Sequence, residues 1–114
     1  MEYAKLGKSN LRVSKICLGT LQFNLKTDEK ESFRIMDMAL DAGINFFDTA
    51  DVYGSPWGAS EEVIGKWIAQ DSSRRDKIIL ATKVYWHDMD APEWPNFTPH
   101  ISAYKVRKNI EGSL

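Results

Sequence analysis

The chain has 114 residues, of which 43% are hydrophobic and 27% are charged. It is therefore long enough for one modest domain and too apolar to be disordered. Its 15 basic and 16 acidic residues give a net charge of −1, which provides no electrostatic footprint for nucleic acid or an anionic membrane. The single cysteine, Cys17, excludes an internal disulfide, and its apolar neighbours predict a small core residue rather than a nucleophile.

The sequence shows no sign of membrane insertion or secretion. No apolar stretch approaches the ~20 residues of a membrane span, and the N-terminus lacks the apolar region of a secretory signal. We therefore expect a soluble cytoplasmic protein that binds neither membranes nor nucleic acid. The sequence leaves the oligomeric state open.

The first elements predicted along the chain form a β-hairpin. Residues 3–6 and 11–13 are short β-like runs, and the Gly-Lys-Ser-Asn between them has turn composition. A short apolar strand follows at residues 16–18 and ends at Gly19 and Thr20. The hairpin therefore precedes the first core strand.

Two amphipathic helices are predicted next from their end signals. Asp28 and Glu31 have capping-box spacing, and Gly43 stands where the C-terminal glycine of that helix is expected. Ser60 is predicted to cap the second helix. The apolar faces of the two helices comprise Phe33, Met36, Ala39 and Leu40 in the first and Val63, Ile64, Trp67 and Ile68 in the second.

Further core strands are predicted at residues 44–48 and 78–83. A polar link at residues 70–77 joins the second helix to the strand at 78–83. A long loop with three prolines follows to residue 100, and Ser102 is predicted to cap a last helix. The apolar positions of that helix are Tyr104, Val106, Ile110 and Leu114, and Lys105, Arg107 and Lys108 are expected on its solvated face.

The core strands are continuous apolar runs separated by helices, which predicts a parallel sheet built from right-handed βαβ units. Two α/β folds have this pattern, the open doubly-wound sheet and the (β/α)₈ barrel. Neither the G-x-G-x-x-G fingerprint nor a P-loop follows the first strand, which removes the simplest phosphate-site interpretations of an open sheet.

Polar residues collect where the strands end, and both folds place their active sites there. Asp48 ends the second core strand, Lys83 ends the third, and Tyr53 lies on the loop after Asp48. An adjacent ammonium lowers the pKa of a tyrosine from ~10 towards neutrality, and a carboxylate would keep the lysine charged and in place. The trio could give a proton to a carbonyl oxygen that is being reduced, provided that a hydride donor is bound.

The same residues also suit ordinary structural roles. Asp48 can cap the loop backbone, Tyr53 can pack as an aromatic and Lys83 can point to solvent, and spacing alone favours neither reading. Asp51 is predicted to order the loop rather than to catalyse. Residues 87–90, His-Asp-Met-Asp, crowd potential ligands into an extended stretch, so no metal site is predicted there.

Several motifs in the same order resemble the aldo-keto reductases. They are GINFFDTADVYG at residues 43–54 with the following Gly-x-Ser-Glu-Glu, KLGKSNLRVSKICLGT near the N-terminus, IILATKV at 78–84 and RKNIEGSL at 107–114. The resemblance implies a (β/α)₈ barrel with an N-terminal hairpin. It also implies reversible reduction of aldehydes and ketones with NADPH, NADH not being excluded.

By this resemblance Asp48, Tyr53 and Lys83 match three catalytic positions, with Tyr53 as the proton donor. Other matched positions line the nicotinamide cofactor: Gly19, Thr20, Leu21 and Asp48. Trp86 is matched as a wall of the pocket for a small carbonyl substrate, and it equally suits a loop aromatic packed on the barrel rim. The family's catalytic histidine belongs to a fourth strand, and neither His87 nor His100 matches it.

We therefore expect residues 1–114 to form an incomplete barrel, with the hairpin, three βα units and a truncated third helix. A barrel of this kind has about 250 residues, so the fragment alone is expected to be inactive and to oligomerise or fold only partly. Two alternatives stay open at this point. One is a regulatory, channel-associated subunit on the same scaffold, and the other is a truncated product without function.

Overall fold

The predicted hairpin is confirmed in the computed structural model, which describes residues 1–84 and 103–113. Strand β1 (Tyr3–Lys5) pairs antiparallel with β2 (Arg12–Ser14). The Tyr3 hydroxyl donates to the carbonyl of Gly43 at 2.8 Å, and the Ser14 amide donates to the Asn45 side chain at 2.7 Å. Both bonds tie the hairpin to the segment that leads into the second core strand.

Three parallel strands form the core sheet: β3 (Leu18–Gly19), β4 (Phe46–Asp48) and β5 (Ile79–Ala81), in the order β3-β4-β5. Their register places Gly19 and Ala81 on either side of Asp48. The predicted parallel βαβ order is confirmed, although each strand is shorter than its apolar run. Asp48 consequently lies at the centre of the carboxyl edge.

The helices are α1 (Glu29–Asp41), α2 (Ala59–Gln70), α3 (Ser73–Lys77) and α4 (Ala103–Ser113). The capping prediction for α1 is confirmed, because the Asp28 side chain accepts from the Glu31 amide at 2.8 Å. The prediction for α2 is wrong: its N-cap is Gly58, with φ of 89°, and Ser60 is buried within the first turn. The short α3 was not predicted, since it buries no residue and has no apolar face.

Replacing Asp28 by alanine should lower the free energy of unfolding of the whole protein by about 1 kcal/mol, because the Glu31 amide loses its acceptor. Urea denaturation measures the loss. Asp28→Asn keeps a side-chain oxygen and is the matched control, expected to retain most of the stability. Equal losses in the two variants would show that the cap is not the stabilising feature.

The core lies between the sheet and the helices α1 and α2. The rings of Phe47 and Trp67 are fully buried, with centroids 5.8 Å apart. The indole nitrogen of Trp67 donates to Asp37 at 2.8 Å, and the Arg74 guanidinium stacks 4.6 Å from the indole. Because successive strand residues alternate in direction, Asp48 points to the sheet face opposite Phe47.

Two burial predictions are wrong. Cys17 is exposed, because β3 begins only at Leu18, which packs on the core and leaves Cys17 directed the other way.

On α4, Tyr104 and Ile110 are exposed and Lys105 is buried. The inward face of α4 is polar, and Asn109, one turn beyond Lys105, donates to the Asp51 carboxylate at 3.0 Å. Ser102 and Leu114 lie outside the described residues.

Within residues 1–84 and 103–113, no helix is long and apolar enough to cross a membrane. The same ranges contain no group of three or more metal-ligating side chains. The stretch 87–90, for which no metal site was predicted, lies outside them.

Candidate active site

Lys83 and Asp48 form a close ion pair at the carboxyl edge of the sheet. The ammonium donates to both carboxylate oxygens, at 2.8 and 2.7 Å, and to the Thr49 carbonyl at 2.8 Å. These contacts fix the position of the Lys83 side chain. The side chains of Lys83 and Asp48 remain 48% and 40% exposed, so another molecule can reach the pair.

Tyr53 completes the cluster from the loop that follows β4. The Lys83 ammonium lies 4.8 Å from the centre of its ring, within the range of a cation–π contact. The loop turns back because the Ser60 amide donates to the Tyr53 carbonyl at 3.0 Å. Gly54, with φ of 91°, permits this turn, since a Cβ there would lie 2.7 Å from the Ser60 nitrogen.

The electrostatics of the cluster keep Lys83 charged. Partial burial acts to lower the pKa of Lys83. Hydrogen bonding to Asp48 and Tyr53, together with their charges, outweighs burial and raises that pKa above its usual value. The cluster therefore presents a protonated Lys83 ammonium beside the Tyr53 side chain throughout the neutral pH range. Cys17 is exposed but keeps some neighbouring protein atoms, and this partial desolvation, together with the Asp48 carboxylate, raises the pKa of its thiol, with partial opposition from Lys83.

A buried set of hydroxyls supports Asp48 from the helix side. Both the amide and the hydroxyl of Thr20 donate to the Asp48 carbonyl at 3.0 Å. The Ser60 hydroxyl donates to the Thr20 carbonyl at 2.9 Å and lies 3.0 Å from the Thr20 hydroxyl. Thr20 and Ser60 are fully buried. The Thr20 side chain thus joins the ends of β3 and β4 and faces the protein interior.

The other predicted site residues differ in their surroundings. Gly19 is exposed opposite Asp48, and Leu21 is 47% exposed on the following turn. Asp51 holds the loop: its amide donates to the Lys83 carbonyl at 3.2 Å. The cofactor-binding assignment of Gly19, Thr20 and Leu21 stays a prediction. So does the substrate-pocket role of Trp86, which lies outside the described residues.

One contact beside the cluster was missed by sequence reasoning. The Thr82 hydroxyl donates to the Glu61 carboxylate at 2.6 Å, and Thr82 directly precedes Lys83. Glu61 lies in the first turn of α2, where its charge also suits the positive end of the helix. The sequence signal that could have found the contact is a threonine next to the site lysine, on the side of the strand that faces the helices.

Comparison with known proteins identifies the family. A sequence model of the aldo/keto reductase family matches residues 15–114. The chain belongs to the aldo-keto reductase family. Members of this family generally use NADH or NADPH as the redox cofactor. The resemblance to this family that the sequence motifs indicated is therefore confirmed over residues 15–114.

Curated relatives of two kinds match the chain. An uncharacterized oxidoreductase, YrpG of Bacillus subtilis, is 54% identical over the whole of this chain and 36% of its own length. A probable voltage-gated potassium channel subunit beta from Arabidopsis thaliana is 40% identical over 75% of this chain and 26% of its own length. The match thus spans about a third of the length of the oxidoreductase and about a quarter of the length of the channel subunit.

Solved structures decide between the two candidate folds. An aldo-keto reductase from Bacillus halodurans, in its holo form, matches 99% of this chain with a TM-score of 0.78 and 37% identity. A putative aldo-keto reductase from Pseudomonas aeruginosa matches 97% with a TM-score of 0.75 and 31% identity. The chain covers 35% and 40% of these two chains. The fold is the N-terminal portion of a (β/α)₈ barrel, as the resemblance implied.

Proposed function

We propose that the whole protein reduces aldehydes or ketones to alcohols with NADPH and catalyses the reverse oxidation. The observation that carries this proposal is the Lys83 ammonium, held by both oxygens of Asp48 and placed over the ring of Tyr53. Family membership supports the class of reaction. The proposal concerns the whole protein, because the family's catalytic histidine has no match among these 114 residues.

Each side chain of the cluster has a distinct role in the proposed reaction. Tyr53 donates its phenolic proton to the carbonyl oxygen as negative charge develops there. Lys83 stabilises the phenolate that remains, and Asp48 keeps the ammonium charged and in place. The bound nicotinamide supplies the hydride. In the oxidative direction Tyr53 takes the proton back from the alcohol.

The residues beside Asp48 fit a nicotinamide cofactor. A Cβ built on Gly19 would meet no heavy atom within 4 Å, so the space next to the Asp48 carboxylate is open. Each carboxylate oxygen has acceptor capacity beyond its bond to Lys83, which a ribose hydroxyl could use. The exposed Leu21 side chain offers an apolar surface at the same edge. Gly19, Leu21 and Asp48 would therefore hold the nicotinamide end, with the Thr20 backbone between them.

Filling the space at Gly19 should weaken cofactor binding without unfolding the protein. We expect Gly19→Leu to raise the NADPH dissociation constant of the whole protein about tenfold, because the new side chain would occupy the cofactor's space. Fluorescence titration measures the constant. Gly65→Leu is the control, since Gly65 on α2 also has open space around it. Unchanged binding in the Gly19 variant would remove this residue from the cofactor site.

The activity itself is tested by following NADPH absorbance while the whole protein meets a panel of aliphatic and aromatic aldehydes and ketones. Turnover should require both NADPH and a carbonyl compound, and each NADPH consumed should yield one alcohol. A protein that binds NADPH but reduces none of the panel would contradict the proposal. This test does not address Trp86 as a wall of the substrate pocket or a cytoplasmic location, and both stay predictions.

The second candidate is a regulatory subunit on the same scaffold. It is favoured by the 40% identity to a probable voltage-gated potassium channel subunit beta. Such a protein would bind cofactor and associate with a channel without needing carbonyl turnover. Co-purification with a potassium channel of the same organism, together with the absence of alcohol product, would favour this candidate over the reductase.

A further inference from the structure

The first turn of α2 contacts both outer strands of the core sheet through consecutive residues. The Ser60 hydroxyl donates to the carbonyl of Thr20, at the end of β3. The Glu61 carboxylate accepts from the hydroxyl of Thr82, just beyond β5. Consecutive helical residues are about 100° apart around the axis, so the two side chains diverge. Strand β4, with Asp48 at its end, lies between the strands that they reach.

The Ser60 branch fixes the backbone of Asp48. Thr20, which accepts from Ser60, donates to the Asp48 carbonyl through both its amide and its hydroxyl at 3.0 Å. Ser60 and Thr20 are fully buried. Water therefore does not compete for these bonds, and the backbone from which the Asp48 carboxylate extends is held in one place.

The Glu61 branch fixes the backbone of Lys83. Thr82 and Lys83 directly follow β5, and the Asp51 amide continues the bonding of that strand by donating to the Lys83 carbonyl at 3.2 Å. Their side chains therefore point to opposite faces of the sheet. The Glu61–Thr82 bond, at 2.6 Å, anchors the helix-facing side of this segment. The Lys83 ammonium lies on the other face, bound to Asp48. Holding the Thr82 side chain consequently limits rotation of the backbone that carries Lys83.

We propose that this clamp, made of Ser60 and Glu61 on α2 with Thr20 and Thr82 on the strand ends, positions Lys83 against Asp48 for the reaction. Ser60, Glu61 and Thr82 act as positioning residues, and the Thr20 side chain joins them from the protein interior. The expected effect on kcat rests on the proposed reductase function, whereas the position of Lys83 against Asp48 does not. The first-turn acids of α2 also interact with the helix dipole, and only Glu61 has the bond to Thr82.

The exposed Glu61–Thr82 bond provides the test, since changes there should leave the buried core intact. In the whole protein, Thr82→Val removes the hydroxyl at nearly constant shape. We expect kcat to fall about threefold to tenfold, with KM and the melting temperature almost unchanged, because a slightly displaced lysine supports the reaction less well. Thr82→Ser, which keeps the hydroxyl, should restore most of kcat.

Two further variants separate positioning from the helix dipole. Glu61→Ala should lower kcat as Thr82→Val does. Glu62→Ala, in the same turn, should lose only the favourable interaction of its charge with the helix dipole and should keep kcat. The double variant Glu61→Ala/Thr82→Val should be no slower than either single variant, because all three lack the same bond.

A readout independent of turnover keeps this proposal separable from the proposed function. Acetylation of Lys83 at alkaline pH, followed by mass spectrometry with Lys66 as internal reference, reports how firmly the ammonium is paired. We expect faster acetylation of Lys83 in Thr82→Val than in the wild type. Unchanged acetylation would overturn the clamp, as would unchanged kcat in an active enzyme. If the whole protein reduces no carbonyl, the reductase proposal fails and acetylation alone decides whether the clamp exists.

Discussion

Replacing Tyr53 by phenylalanine is expected to lower kcat for carbonyl reduction by the whole protein at least about 100-fold, the usual contribution of a positioned general acid. The change removes only the hydroxyl and leaves the ring over the Lys83 ammonium. KM and the NADPH dissociation constant should change little, because the phenol acts on the oxygen that gains charge in the transition state. Steady-state kinetics and fluorescence titration measure the three quantities.

The same chemical change at the opposite end of the sheet is the control. Tyr3→Phe removes a hydroxyl that donates to Gly43, which lies before β4. It should reduce stability slightly and leave kcat unchanged. If Tyr53→Phe kept more than about a tenth of the wild-type kcat, another group would be the proton donor, and the role assigned to Tyr53 would be wrong.

Replacing Lys83 by methionine is expected to reduce kcat to a similar extent, about 100-fold or more, by removing the charge that stabilises the Tyr53 phenolate. The change also leaves both Asp48 oxygens without the ammonium that they bind at 2.7 and 2.8 Å. A long apolar side chain preserves much of the packing along the lysine stem. The loss should therefore appear in kcat, measured with saturating carbonyl substrate, more than in the melting temperature.

Lys66→Met is the matched control for this variant. Lys66 also forms an ion pair, 2.8 Å from Glu29, but it joins α2 to α1 on the exposed surface. Solvent screens an exposed pair of this kind, so both activity and stability should be nearly unchanged. Equal kcat values for Lys83→Met and the wild type would show that the ammonium is not part of the catalytic machinery.

The convergence of Asp48 and Lys83 could be predicted because it depends on strand order alone. Parallel strands all end at one edge, and a right-handed βαβ connection places successive strands side by side. The Asp28 cap was predictable for a similar reason, since it depends on a local spacing. Neither prediction depends on which face of a helix points inward or on the exact residue at which a strand starts.

The features that were mispredicted depend on such details. Ser60 was expected at a helix end, but Gly58 starts α2 earlier and places the Ser60 side chain against Thr20. Cys17 was expected in the core, but side chains alternate along a strand, and the strand begins at Leu18, two residues later than predicted. On α4 the apolar spacing was a poor guide, because the contact between Asn109 and Asp51 lies on the inward face.

We propose that the site formed by Asp48, Tyr53 and Lys83 serves carbonyl reduction by a nicotinamide. It is tested most directly by incubating the whole protein with an aldehyde and NADPH deuterated at the hydride-donating carbon, and then analysing the alcohol by mass spectrometry. We expect an alcohol with one deuterium on the former carbonyl carbon, formed by the wild type and barely detectable with Tyr53→Phe. An alcohol without deuterium, or none under conditions where NADPH is bound, would contradict the account.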